Sequence, residues 1–221
     1  MNGKIGRLFD NKKLVEKIKK KLPYLFQLAE LECPRVGKPG PGPEVGSVRE
    51  KIIIAILLSA FGSRNVKSTI PTTESEVDVN LFGKPISIKT KTTKPKRTRL
   101  DGIKLKWTAD NQKAMEASKK YFPSCDMIFV HIKWNDSGAL YYIPKRIQTK
   151  TLSKIKRKNY IEKLKTGANN RGVEITSYAM KLLINDPNTK RIEIDWKWRE
   201  NYENDFNSLA FERWKKLWEK R

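Results

Sequence analysis

An acid, a lysine and a second acid carry the chemistry that this chain's residue types allow. Asp78 and Lys89 stand at the two ends of the run Asp78-Val79-Asn80-Leu81-Phe82-Gly83-Lys84-Pro85-Ile86-Ser87-Ile88-Lys89. A carboxylate that holds a divalent cation, with an ammonium beside it, can hydrolyse a phosphodiester. The cation polarises the phosphoryl oxygen and acidifies a water, and the ammonium offsets the charge that develops during the displacement. One requirement is unmet locally. Hard cations favour charged oxygen ligands, yet Ser87, which shares a strand face with Lys89, is uncharged. That charge must be supplied from elsewhere, and Glu50 is the candidate.

The elements that position these groups can be read from periodicity. The run from Asp78 to Lys89 consists of two short apolar-alternating segments joined at Phe82-Gly83-Lys84, the pattern of a tight β-hairpin, so Asp78 and Lys89 fall on neighbouring strands. Within the second strand Ile86 and Ile88 point to one face, Ser87 and Lys89 to the other. Residues 44–61 predict a helix with the apolar stripe Ile53, Ile54, Leu57, Leu58 and Phe61. Counting back three or four from that stripe reaches Glu50, a charge on the core-facing side, where charges are rarely buried without a partner. A second reading stays open: Ser47 and Glu50 also have capping-box spacing, and both roles hold only if the carboxylate can leave the cap. An alternative acid-x-Lys, Asp195-Trp196-Lys197 after Asp186-Pro187, lies in the alternating run 191–198 of an ordinary half-exposed strand. No acid-bearing helix precedes it closely, and the hairpin set is preferred.

The charge names the partner class. The chain has 221 residues, with Lys+Arg 47 against Asp+Glu 24 and a formal net charge of +23 spread along its length. A polyanion is the implied partner. No apolar run approaches the ~20 residues that span a bilayer, and the start of the chain lacks a signal-peptide pattern, so a cytoplasmic protein without membrane contact is expected. Cys33 and Cys125 match neither a metal finger nor a disulfide framework and read as reduced thiols.

In chain order, residues 8–30 predict an amphipathic helical region broken near Pro23. The Gly/Pro-dense loop 34–43 opens the Glu50 helix; Pro43 reads either as an apolar wedge against a base step or as part of a stiff connector. Gly62 ends that helix. Past Lys89 the most basic segment, 90–99, interleaves hydroxyls with Lys91, Lys94, Lys96, Arg97 and Arg99, suiting phosphate oxygens and, for the arginines, guanine edges. A helix over 108–120 with Thr108 as N-cap follows. Next come a central strand 126–134, a second hairpin partner 139–143, and a basic helical stretch 145–158 whose Lys145 and Arg146 are further DNA-contact candidates. His131 reads as a packed strand residue rather than a base. Asn169, Asn170 and Arg171 mark a turn that either reads bases or is merely a turn, and 175–184 predicts a helix. A strand around Ile192 precedes a helix over 202–220 with the stripe Phe206, Leu209, Trp214 and Trp218.

Glu50, Asp78 and Lys89, with the turn Glu44-Val45-Gly46-Ser47 and the serine of Ser87-Ile88-Lys89, resemble the ThaI-like type II restriction endonucleases of the PD-(D/E)XK superfamily, in which the metal-binding glutamate sits on a helix. The match in order and spacing covers positions 42–91. The resemblance implies a restriction-endonuclease-like α/β fold, a mixed β-sheet flanked by helices, as a single domain over 1–221 with helical N- and C-terminal additions. It implies Mg²⁺ held by Glu50, Asp78 and the carbonyl of Ile88, with Lys89 orienting water and Ser87 near the site, able to contact DNA or a metal-bound water. It also implies a homodimer that cuts double-stranded DNA at a short palindrome such as CGCG to blunt ends, and a cognate methyltransferase that shares those sites. The rivals are a non-catalytic basic nucleic-acid-binding protein and a structure-selective nuclease of the junction-resolvase kind.

Overall fold

A computed structural model describes residues 3–35, 37, 40–70, 76–96, 99–163 and 171–200. Helices α1 (Gly3–Asp10), α2 (Lys12–Glu32) and α3 (Val45–Phe61) precede strand β1 (Val66–Lys67) and the hairpin of β2 (Val79–Leu81) and β3 (Lys84–Thr92). There follow β4 (Ile103–Trp107), α4 (Asn111–Lys120), a second hairpin of β5 (Asp126–Ile132) and β6 (Asp136–Ile143), then α5 (Lys145–Ile155) and α6 (Arg157–Tyr160). The described part closes with β7 (Gly172–Ile175), α7 (Ser177–Ile184) and β8 (Lys190–Trp196). Six strands form one sheet in the order β1-β2-β3-β5-β6-β8. Only β3 and β5 run parallel; the other neighbours are antiparallel. This is the expected α/β class, a mixed sheet flanked by helices. β4 and β7 pair separately as a small second sheet.

Side-chain alternation divides the core in two. Ile86, Ile88, Ile128, Val130, Ile132, Leu140, Ile192 and Ile194 cover one face and pack with Leu8, Ile18, Leu22, Phe26, Ile53 and Leu57 of the first three helices. Met127, Phe129 and Ile143 cover the other, against Leu105 and Val173 of the small sheet and Ile147, Tyr160 and Met180 of the later helices. β5 is therefore buried on both faces, which is why its sequence reads as a nearly unbroken apolar run. β8 alternates buried Ile192, Ile194 and Trp196 with exposed Arg191, Glu193 and Asp195, as an edge strand does.

At Gly138 of β6 a Cβ would collide with the carbonyl oxygen of His131 and the indole of Trp196, whose Nε1 lies 2.7 Å from the ideal Cβ position. Gly138→Ala is therefore expected to cost about 1–3 kcal/mol by overpacking, read as a lowered midpoint in thermal or urea unfolding.

Four local expectations are corrected. α2 runs unbroken through Pro23. Proline inside a helix costs ~3 kcal/mol, but Leu22 and Phe26 on either side are wholly buried, each contributing about 1.5–3 kcal/mol. The cap of α4 is Asp110, which accepts from the amide of Lys113 at 2.7 Å, while the Thr108 hydroxyl donates to the Asp110 carbonyl. The basic stretch after β6 breaks at Lys156, at φ 65°, into α5 and α6. Residues 103–107 and 172–175 are strands that pair with each other, where the sequence suggests a lead-in to a helix and the end of a turn. The expected helix over 202–220, with Phe206, Leu209, Trp214 and Trp218, lies outside the described residues, as do Asn169 and Asn170. Among the described residues no helix is long and apolar enough to cross a membrane.

Candidate active site

The site is built on the first hairpin. Phe82 and Gly83 both take positive φ, 52° and 76°, the pair of left-handed residues that a two-residue turn needs to match strand twist. That turn pairs Leu81 with Lys84 and Val79 with Ile86. Asp78, just ahead of β2, donates its amide to the carbonyl of Ile86 at 2.9 Å. Its side chain thereby faces the next three residues of β3. Asp78 Oδ2 accepts from the Ile88 amide at 2.5 Å, from Ser87 Oγ at 3.2 Å and from Lys89 Nζ at 3.2 Å. Among the described residues no hydrogen bond goes to Oδ1.

Glu50 arrives from the opposite direction. α3 runs antiparallel to β3, since Phe61 at its C-terminal end meets Phe82 at the hairpin turn, ring centroids 5.3 Å apart, and Glu50 at its other end meets the site. Burial raises the Glu50 carboxyl to about 7, and the negative charge of Asp78 adds to the effect; Lys89 and Lys51 pull the other way. The capping-box reading is not realised. Gly42, Pro43 and Glu44 start the helix earlier, Glu44 occupies the N-cap, and the Ser47 amide is bonded to the Glu44 carbonyl at 3.0 Å. Among the described residues the Glu50 carboxylate makes no cap bond. Two carboxylates with a strand carbonyl, that of Ile88, could supply an all-oxygen donor set. Among the described residues no group of three or more His, Cys, Asp or Glu forms a cage. Such a sparse set suits Mg²⁺, which keeps waters and takes one or two carboxylates together with substrate phosphate oxygens.

Over residues 8–220 the chain matches the family described as restriction endonuclease ThaI. The chain belongs to the ThaI restriction endonuclease family. A solved structure, a restriction endonuclease in complex with substrate DNA, is 43% identical, superimposes with a TM-score of 0.82, and is covered over 98% of its length by 97% of this chain. No curated protein sequence matches. This ThaI-family member is a type II restriction nuclease, a site-specific deoxyribonuclease.

In the ThaI-family chain the structure brings Glu50, Asp78, Ser87, Ile88 and Lys89 together, and sets Lys91 one step along the Lys89 face, where its Nζ lies 3.4 Å from the position of a Cβ on Gly102. The remaining candidates divide between the two ends of β3. Lys94 and Lys96 follow its C-terminal end and are exposed, and exposed Arg99 pairs with Asp101 at 3.3 Å. Arg97 lies outside the described residues. Lys145 and Arg146 open α5, exposed, near the N-terminal end of β3: Ile86 aligns with Asp126, and Asp126 Oδ1 accepts the Lys145 amide at 2.7 Å. Pro43 is exposed in the turn before α3. His131 hydrogen-bonds Thr93 Oγ1 at 2.9 Å and stacks on Phe129. Burial, then Lys133, lowers it to about 4, so it is neutral and engaged in packing. The competing acid-x-Lys is scattered: Asp186 Oδ1 accepts from the Asn188 amide in a turn, and Asp195 is exposed on β8, with β5 and β6 between it and β3.

Two groups around the site carry no signal in the sequence. Glu76, two residues before Asp78, is 7% exposed and accepts from Tyr121 Oη at 2.6 Å and Ser124 Oγ at 2.5 Å. It ties the segment that delivers Asp78 to the loop entering β5. Cys125 in that loop is held up to about 12, chiefly by burial and then by Glu76. The other is Arg49, buried beside Glu50 and paired with Glu30 of α2. Both partnerships join residues far apart in sequence, and no local pattern marks them.

Proposed function

We propose that this enzyme cleaves double-stranded DNA at a short palindrome, acting as a homodimer of one restriction-endonuclease-like domain with helical additions, with Glu50, Asp78 and Lys89 as its catalytic residues. The reading is carried by one observation: the carboxylate of Asp78, tied to Lys89 and Ser87, shares its surroundings with a glutamate from a separate helix. Glu50, Asp78 and the Ile88 carbonyl would hold Mg²⁺. When bound, that ion supplies electrophilic polarisation of the scissile phosphate and acidifies a water. Glu50 binds in its ionised form. Asp78 uses Oδ2 to fix Ser87, the Ile88 amide and Lys89, which leaves Oδ1 for the cation. Lys89 holds its ammonium where it can orient the attacking water and offset charge developing on the phosphate oxygens.

The net charge of +23 supports a DNA partner, and the similar solved structure is itself a complex with substrate DNA. A palindrome read by a two-fold symmetric dimer places one such site on each strand. CGCG cut to blunt ends is the specificity the ThaI resemblance suggests, with a cognate methyltransferase protecting the same sequence. Lys91, Lys94, Lys96, Arg97, Arg99, Lys145 and Arg146 would contact the duplex, and Pro43 would approach a base step. A digest of a plasmid of known sequence, with Mg²⁺ and with a chelator, tests this. Discrete fragments ending within CGCG are expected in Mg²⁺ alone. Binding without cleavage would leave only a basic binding protein, and nicking confined to branched DNA would make it a junction enzyme.

A further inference from the structure

We infer that Arg49, Glu30 and Trp134 form a positioning device that sets the rotation of α3, and with it the direction of Glu50. Arg49 is 3% exposed, and its Nη2 bonds to Glu30 Oε1. The same oxygen accepts Trp134 Nε1 at 2.7 Å, and the guanidinium lies 5.5 Å from the centre of the Phe26 ring. Trp134 is itself wedged edge-on against Trp196 and Trp198, at 5.6 and 5.0 Å. The cluster thus joins α2, α3 and the turn between β5 and β6.

Apolar packing alone does not set the rotation of this helix. Ile52, Ile53, Ile54, Ala55, Ile56, Leu57 and Leu58 follow one another without a break, so residues all round α3 are apolar and a turned helix would still bury an apolar face. A buried polar pair removes that freedom, because only one rotation satisfies it, as a single buried polar residue fixes register in a coiled coil. Successive helical residues point ~100° apart, so with Arg49 directed into α2, Glu50 is directed to Asp78 and Lys89. Buried ion pairs contribute little net stability, and apolar replacement of both partners is often tolerated. The role of this pair is therefore geometric.

The inference rests on Glu50 acting in the site, and the test separates the two. The double variant Glu30→Leu/Arg49→Met keeps the net charge and supplies apolar volume. Its metal-free DNA binding is expected to match the parent, and its unfolding midpoint to drop only by a few degrees, because Trp134 Nε1 loses its acceptor. Its Mg²⁺ affinity, measured by calorimetry on enzyme bound to DNA with a non-cleavable phosphorothioate linkage, is expected to fall ~10-fold, and the cleavage rate ~10- to 100-fold, the range for outer-shell support of a metal ligand. A folded double variant with parental Mg²⁺ affinity and rate would overturn the inference. Should the double variant unfold, Trp134→Phe removes one donor to Glu30, and a Mg²⁺ affinity unchanged in that folded variant would overturn it equally. Glu50→Gln is the control: if it cuts at the parental rate, the site reading fails, whereas an inactive Glu50→Gln beside a fully active double variant sinks the positioning role alone.

Discussion

Asp78→Asn is expected to bind DNA at least as tightly as the parent while cutting it about a thousandfold more slowly, or worse. In the proposed site the aspartate faces the scissile phosphate, so removing its charge relieves repulsion. The same change removes one ligand of the proposed cation site and the anion that holds Lys89 Nζ at 3.2 Å. Asparagine keeps an acceptor for the Ile88 amide if its oxygen takes the Oδ2 position, so the hairpin should persist. Lys89→Met should slow cleavage by roughly 10²- to 10³-fold, with little change in metal affinity, since in the proposed mechanism the lysine, tied to Asp78, acts on the phosphate rather than on the ion. Single-turnover cleavage in Mg²⁺ beside equilibrium binding in chelator separates binding from chemistry. An Asp78→Asn enzyme cutting within tenfold of the parent would remove Asp78 from the mechanism.

The second large effect is one of pH. With its carboxyl near 7, Glu50 is mostly protonated in mildly acidic solution and cannot hold a cation. At subsaturating Mg²⁺ the cleavage rate should therefore fall about tenfold for each pH unit below 7. Raising Mg²⁺ should push that limb to lower pH, because ion and proton compete for the same oxygens. The sign for stability is the reverse. Between pH 4.5 and about 7 the folded chain keeps a proton that the unfolded chain has released, so this group's contribution weakens the metal-free fold as pH rises through that window. Glu50→Gln should thus stabilise the metal-free protein at pH 8 by roughly 1–2 kcal/mol, allowing for solvent screening at a half-buried position, and leave it unchanged below pH 4. Melts in chelator at the two pH values measure it; a Gln variant no more stable at pH 8 would mean that Glu50 is better solvated than its setting implies.

Features that depend on near neighbours along the chain are legible in the sequence itself. Alternation over 86–89 and the Phe82-Gly83 turn specify a hairpin and its facing, hence which side chains meet Asp78. Glu50 stands out as a charge one turn ahead of the buried Ile53 and Leu57, and the serine at position 87 leaves the strand of Lys89 without a carboxylate. Choices between equivalent local signals are what the sequence leaves undecided. Ser47 and Glu44 both precede the apolar run, as Thr108 and Asp110 both precede α4, and only the entering chain decides which becomes the cap. Pro23 misleads because its local penalty is outweighed by the core residues flanking it. Partners of Glu76 and Arg49 stand beyond reach. Tyr121 is 45 positions from Glu76, and Glu30 is 19 from Arg49 on another helix, separations at which a sequence pattern carries no contact information.

The serine at position 87 has a mechanical consequence. An acid borne on the strand would travel rigidly with Lys89 whenever the sheet flexes. In the proposed site the two carboxylates belong to separate segments, so a small slip of the helix would open the grip while the sheet stayed whole. Heat inactivation in this enzyme should then set in several degrees before the cooperative melt, as a reversible loss that cooling restores.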